Sequence, residues 1–367
     1  MNDNPTPANK STSPISYSDH WTKIHGPSLG QFIFKQQPDD FVVTEKLSFE
    51  PTGNGEHVFL WVEKQNLNTA FVAEHIAKFS GLPLRDVTYA GRKDKFAKTY
   101  QWFGLYMANK KEPDWKNFDL PGAQIIKATR NDRKLRTGAL DGNHFKVVLR
   151  NTTSLCHEQI HARIDSIKQL GVPNYYGQQR FGNTRIDDPS ALPGNLALAQ
   201  KMLDGEEIRN RNKRSMAISA LRSWLFNEFI DQRIRTLGYA RLFEGDVMQL
   251  AGSNSFFLCE SIDEKIKTRI GDKDIGVTCP LWGKGFLHSS QTIQKFENSL
   301  SKKHNQICGL LAALGLKQER RAMALFPNNM TYSLAEDSLT LSFDLPSGCF
   351  ATSVLRELCT LLEDHEQ

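Results

Sequence analysis

The 367-residue chain reads as a mixed α/β (α+β) protein whose sheet draws on both ends of the chain, with a further domain between them. Three observations predict this. Short alternating or β-branched runs recur up to residue 150. The texture then changes to turns and helices. An alternating run, "SLTLSFDL", reappears close to the C-terminus, where it needs a sheet to join.

Each element has a local cause. "QFIFKQ" and "DFVVTEKLSF" carry β-branched and aromatic residues, with turn chemistry in "QPDD" between them. "HVFLWVEKQ" places Val58, Leu60 and Val62 on one face. A helix follows: Asn68 can cap it, Val72, Ile76 and Phe79 share a face, and Gly81 ends it. "DVTYA" and "KTYQWFGLY" read as strands entering and leaving a charged loop. "HFKVVLR" alternates Phe145, Val147 and Leu149, and a helix with Ile160, Ile164, Ile167 and Leu170 inward stops at Gly171. In the middle come "LALAQKML", a helix over roughly 215–237 with Ile218, Leu221, Leu225 and Phe229 as its face, short strands around "DVMQLAGSNSFFLC", and helix from about 290 to 315. After "SLTLSFDL", a "PSG" turn leads to a final helix with Val354, Leu358 and Leu361 inward.

Composition bounds the function. Hydrophobic residues make up 39% and charged residues 24%, as in ordinary globular proteins. A net charge of +5 is a weak argument for a polyanionic partner, so local clusters must carry it. Six scattered cysteines without a C-x-x-C pair speak against a zinc ribbon or a disulfide framework, and for a reducing compartment. Residues 1–16 are polar, lack the apolar core of a signal peptide and read as a disordered tail. No run is long enough to span a membrane, so a cytoplasmic location is expected. No phosphate-binding glycine loop occurs, so no nucleotide cofactor is expected.

"HEQIH", residues 157–161, is a literal H-E-x-x-H, which on a helix would offer His157 and His161 to zinc. A third ligand is missing: no Glu lies between Glu158 and Glu206, and positions 164 and 167 are isoleucines of the helix's core face. An ordinary amphipathic helix is the better reading, and a zinc peptidase the weaker alternative.

Basic clusters point to nucleic acid. "KATRNDRKLR" holds Lys127, Arg130, Arg133, Lys134 and Arg136 against one acid, and "RNRNKRS" holds Arg209, Arg211, Lys213 and Arg214 against none. A third lies in "YAGRKDKFAKT", where Arg92, Lys93, Lys95 and Lys98 surround Asp94. Flanking cations favour an ionised, nucleophilic carboxylate and attract a phosphate backbone. A solvated turn residue is the plainer reading of Asp94. No second acid lies within sixteen residues on its C-terminal side, which does not fit a paired-carboxylate glycosidase drawn from this segment. Tyr175, Tyr176 and Phe181 in "GVPNYYGQQRFGN" add rings on which bases could stack, though most single aromatics are core.

Taken together and in order, "YAGRKDKFAKTYQWFGL", "LDGNHF", "GVPNYYGQQRFGN", "RNRNKRS" and "LPSGCFATSVLREL" resemble the TruD family of tRNA pseudouridine synthases over roughly residues 26–360. The resemblance implies a pseudouridine synthase-like catalytic domain with a central, mostly antiparallel sheet, from 17–168 and 326–367, and an inserted domain over 169–325. It implies isomerisation of uridine to pseudouridine in tRNA, usually at position 13, without metal or cofactor. Asp94 becomes the expected nucleophile. Phe41, Asn143, Phe145 and Phe350 fall on substrate-contacting positions; Arg92, Lys95, Arg209, Arg211, Lys213 and Arg214 are expected to bind RNA. A monomer suffices. "NTRIDDPSALP", 183–193, departs from the family pattern, which bears on RNA contacts of the insert rather than on Asp94. A synthase fold that binds RNA without chemistry is the alternative of another class, and an intact Asp94 argues against it.

Overall fold

The computed structural model describes residues 15–17, 21–183, 188 and 191–363. They form two compact units, one of residues 25–172 and 325–363, the other of the described residues up to 24 together with 173–324.

The first unit is built on a ten-stranded sheet. Its N-terminal strands are β1 (Gln31–Phe34), β2 (Phe41–Leu47), β3 (His57–Gln65), β4 (Val87–Tyr89), β5 (Lys98–Tyr106), β6 (Ala123–Asn131) and β7 (Leu140–Arg150). The chain's other end adds Asn328–Leu334, Ser338–Pro346 and Thr360–Glu363. The main path runs Asn328–Leu334, Ser338–Pro346, β7, β2, β5, β3, β6. Pairing is antiparallel except between β2 and β5 and between β1 and Thr360–Glu363. Strand Ser338–Pro346 lies along β7 from Gly142 to Arg150, with Leu341 opposite Val147 and Phe343 opposite Phe145. That alternation near the C-terminus is what demanded a sheet.

Helix α1 (Thr69–Ser80) sets Val72, Ala73 and Ile76 on Val58, Leu60, Phe103 and Leu105. Gly81 ends it in the left-handed conformation at φ 64°, which a side chain would disfavour. Helix α2 (His157–Leu170) and the C-terminal helix Ala351–Leu358 share a second core with Phe41, Phe145, Val147, Leu339 and Phe343.

The second unit contains α3 (Gly194–Leu203) and α4 (Arg211–Thr236), with a four-stranded antiparallel sheet in the order Phe256–Leu258, Val247–Leu250, Ile275–Leu281, Glu319–Ala322. Leu221, Trp224, Leu225 and Phe229 form the buried stripe of α4. Two buried ion pairs stiffen this unit, Arg233–Asp246 at 2.7 Å and Arg320–Glu297 at 2.8 Å. No helix among the described residues is long and apolar enough to cross a membrane.

Several expectations are corrected. Most of the expected tail lies outside the described residues, but Ile15 is buried and the Ser16 carbonyl accepts a hydrogen bond from Trp224 Nε1. Tyr17 and residues 21–24 belong with the second unit rather than with the sheet: Trp21 stacks on Tyr175 at 5.7 Å and the Thr22 amide donates to Asp231. Helix α4 starts at Arg211, not near 215, because Asn210 caps it by accepting from the Lys213 amide at 3.0 Å. At α1, Asn68 holds the cap position without a side-chain bond, and Phe79 packs on Trp115 and Phe118 rather than into the core. Leu170 is 41% exposed. The final helix stops at Leu358, and Leu361 lies on a strand, because the open edge of β1 supplies a parallel ladder that outweighs an accidental helical spacing.

These placements separate two residues that one helical pattern put together. Ile164→Ala should cost about 2–5 kcal/mol in urea unfolding, the range for a buried aliphatic truncation. Leu170→Ala should stay within about 0.5 kcal/mol. Equal losses would contradict the assigned face.

Candidate active site

The loop between β4 and β5 carries Asp94, and buried polar side chains tie it down. Glu45, on β2, is buried and pairs with Lys93 at 2.6 Å. It also accepts from the Trp102 amide at 2.8 Å. Burial raises the Glu45 carboxyl above its usual range, and Lys93 pulls against that shift. Thr69, at the start of α1, accepts from the Lys93 amide at 3.0 Å and donates to Gln101, whose amide nitrogen holds the Gly91 carbonyl at 2.7 Å. Lys64, from β3, donates to the carbonyls of Leu67 at 2.9 Å and Asp94 at 3.1 Å. Its ammonium is buried, and that burial lowers its pKa to about 8.

The Asp94 side chain is left about one-third exposed, with Lys35 Nζ 3.7 Å from its carboxylate. Lys35 follows β1 with φ at +63°, a conformation that non-glycine residues reach only when their surroundings hold them there. Its ammonium lies over the Phe34 and Phe41 rings, 5.0 and 4.6 Å from their centroids. Below, Phe41 stacks on Phe145 at 6.1 Å and Phe145 on Phe343 at 5.7 Å. Asn143 stands opposite Glu45 in the β2–β7 register, and its buried Oδ1 has no hydrogen-bond partner among the described residues. Gly142 beside it has no room for a Cβ, since the Leu345 carbonyl occupies that space.

The predicted residues therefore divide. Asp94, Phe41, Asn143 and Phe145 lie on one loop and two neighbouring strands of the first unit. Phe350 heads the C-terminal helix of the same unit. Arg92 and Lys95 are exposed on the Asp94 loop. Arg209, Arg211, Lys213 and Arg214 belong to the second unit. Lys93 and Lys98 are engaged, Lys98 with Asp39 and Glu63. Lys35 and Lys64, which the sequence reading missed, are the cations that reach Asp94. Both are far from it in the chain, and only strand pairing brings them close. At the other motif, His161 pairs with Asp165 and both imidazoles pack against Tyr332. No group of three or more His, Cys, Asp or Glu among the described residues is placed to hold a metal.

The family profile described as tRNA pseudouridine synthase D (TruD) matches residues 26–189 and 200–358. The chain belongs to the TruD family. It is 52% identical over 340 residues to tRNA pseudouridine synthase D of Pseudoalteromonas atlantica, covering 93% of this chain and 96% of that protein. It is 41% identical over 335 residues to the Shewanella oneidensis protein of the same name, covering 91% and 88%. Among solved structures, a putative tRNA pseudouridine synthase D (TruD) from Methanosarcina mazei superimposes with a TM-score of 0.67 over 90% of this chain and 94% of its own. At 18% identity, that likeness speaks for the TruD fold alone.

Lys35→Met should lower turnover by on the order of tenfold, because the cation paired with the partly exposed carboxylate is lost. Affinity for tRNA should change less than about threefold, since one phosphate-independent charge is removed. Single-turnover rates and equilibrium binding check this; unchanged turnover would contradict the role.

Proposed function

We infer that Asp94 is the nucleophile with which this TruD-family tRNA pseudouridine synthase turns a uridine of tRNA into pseudouridine, and that position 13 is its target. The observation that supports this best is the pairing of a fixed backbone with an available side chain. The Asp94 carbonyl is tied to buried Lys64, while its carboxylate stands open beside Lys35. A nucleophile needs that combination of fixed position and accessible charge.

The reaction is an isomerisation. The N1–C1′ glycosidic bond breaks, the uracil turns over, and C5 bonds to C1′. C5 gives up its proton and N1 gains one, so the atoms balance without water or an electron acceptor. One nucleophilic carboxylate suits this, because no water has to be activated. Reaching a base inside folded tRNA requires extruding it. Phe41 is proposed to help receive the extruded base, with Phe145 supporting it from the stack below. Phe350, at the head of the C-terminal helix, is proposed to contact the substrate as well. The open Oδ1 of Asn143 can accept an N–H from the uracil edge, which relieves an otherwise unmade buried hydrogen bond. Arg92 and Lys95 are proposed to hold phosphates near the loop. One chain carries both units, and we propose that it works as a cytoplasmic monomer.

The test is pseudouridine mapping on a tRNA transcript. The wild-type protein should make one pseudouridine at position 13. Asp94→Asn should lower the rate by at least about 10³-fold, as loss of a nucleophile does, with tRNA affinity retained. Formation that survives in Asp94→Asn would overturn the assignment.

A further inference from the structure

The second unit contains a cleft of about 450 Å³, walled by the first half of α4, by Tyr176 and Arg180, and by Leu281 and Leu316. Its volume is in the range of small-ligand sites, roughly 300–1,000 Å³. Arg211, Arg214, Ser215, Ile218, Ser219 and Arg222 all line it. Their spacing of 3, 4, 7, 8 and 11 from Arg211 places them on one helical face. No carboxylate among the described residues lines the cleft.

The arginines differ in what they do. Arg222 is committed to the wall: it donates to the carbonyls of Trp282 and Leu281 and pairs with Glu319 at 3.0 Å. Arg180 is positioned from one side, with Nε donating to Ser223 Oγ at 3.2 Å and its guanidinium 5.3 Å from the centre of the Tyr176 ring. Arg211 and Arg214 are exposed and have no ion-pair partner among the described residues. They sit in the first turn of a 26-residue helix, whose N-terminal dipole adds to their positive potential. Ile218 on the same face, with Leu281 and Leu316 from outside α4, adds apolar lining with no charge to satisfy.

We propose that this cleft seats one nucleotide of the tRNA, distinct from the uridine that reacts. Its phosphate is held by Arg180, Arg211, Arg214 and the hydroxyls of Ser215 and Ser219, and its ribose or base lies on the apolar lining. This rests on the tRNA reading above. It also divides the basic run of the sequence: Arg211 and Arg214 line the cleft, whereas Arg209 and Lys213 are exposed and do not. Arg180, more than thirty positions upstream in the chain, joins them only through the fold.

The experiment measures tRNA binding in full-length Asp94→Asn protein at several salt concentrations, so that chemistry plays no part. Arg180→Ala/Arg214→Ala should weaken tRNA at least about tenfold and lower the slope of log affinity against log salt by about 1–2, the signature of lost phosphate contacts. Lys265→Ala, an exposed cation on Glu264–Gly271 outside the cleft, should shift affinity less than about twofold. Ser219→Leu fills the cleft without removing charge, and should weaken tRNA while leaving the salt slope unchanged. In protein with Asp94 restored, the arginine pair should raise KM and leave saturating turnover within about twofold. Wild-type affinity and slope in the arginine pair would overturn the proposal, as would a fall in turnover at unchanged KM. Uridine 5′-monophosphate or inorganic phosphate bound at the cleft, with tRNA affinity unmoved by the variants, would assign it to a small molecule and overturn it too. A wild-type protein that bound tRNA in this way yet formed no pseudouridine would count against the catalytic reading alone.

Discussion

A carboxylate buried under the β4–β5 loop is the constraint on which the site depends. Glu45 has almost no contact with solvent, so its charge requires a cation and donors close by. Lys93 supplies the charge, while Trp102 and Gln101 supply hydrogen bonds. Meeting that requirement pulls the residue before Asp94 inward. Lys64 then fixes the Asp94 carbonyl, and the carboxylate is left to point where Lys35 waits. The loop thus spends its polar groups inward at Gly91 and Lys93, and at the main chain of Asp94. It presents outward one acid and two exposed cations, Arg92 and Lys95.

The sheet converts this local arrangement into a site. β2 contributes Glu45 and Phe41, and β7 places Asn143 opposite Glu45. The C-terminal strand completes the stack by setting Phe343 against Phe145. Both ends of the chain are therefore required for one aromatic column, and a unit folded between them can be long without disturbing its register. Lys35 depends on the same geometry, since β1 ends where β7 and the final strand hold it.

Much of this was legible in the sequence for physical reasons. Alternation in β3, β5, β7 and Ser338–Pro346 reports a sheet with a buried face, and period-2 patterns are hard to mimic. The loop holding Asp94 was legible because apolar runs bracket it. What could not be read were the partners. Four cations near Asp94 in sequence looked equivalent, yet Lys93 is buried with Glu45 and Lys98 is bound elsewhere. Lys35 and Lys64 gave no signal, because nothing in a lysine's local context reveals which strand it will face. Leu361 and Leu170 failed for the opposite reason: a short apolar spacing at a helix end extends the pattern by chance, while sheet edges and solvent decide the outcome. The placement of Trp21 had a weak signal, an aromatic in a polar stretch, which is seldom left exposed.

The buried Glu45–Lys93 pair is proposed to position Asp94. The most direct test is a double-mutant cycle on Glu45→Gln and Lys93→Met, measuring single-turnover pseudouridine formation and tRNA affinity together. Each single variant should lose turnover at nearly unchanged affinity, and the double variant should lose no more than the worse single one, since no charge is then left unpaired. Losses that simply add, or turnover that ignores both changes, would contradict it.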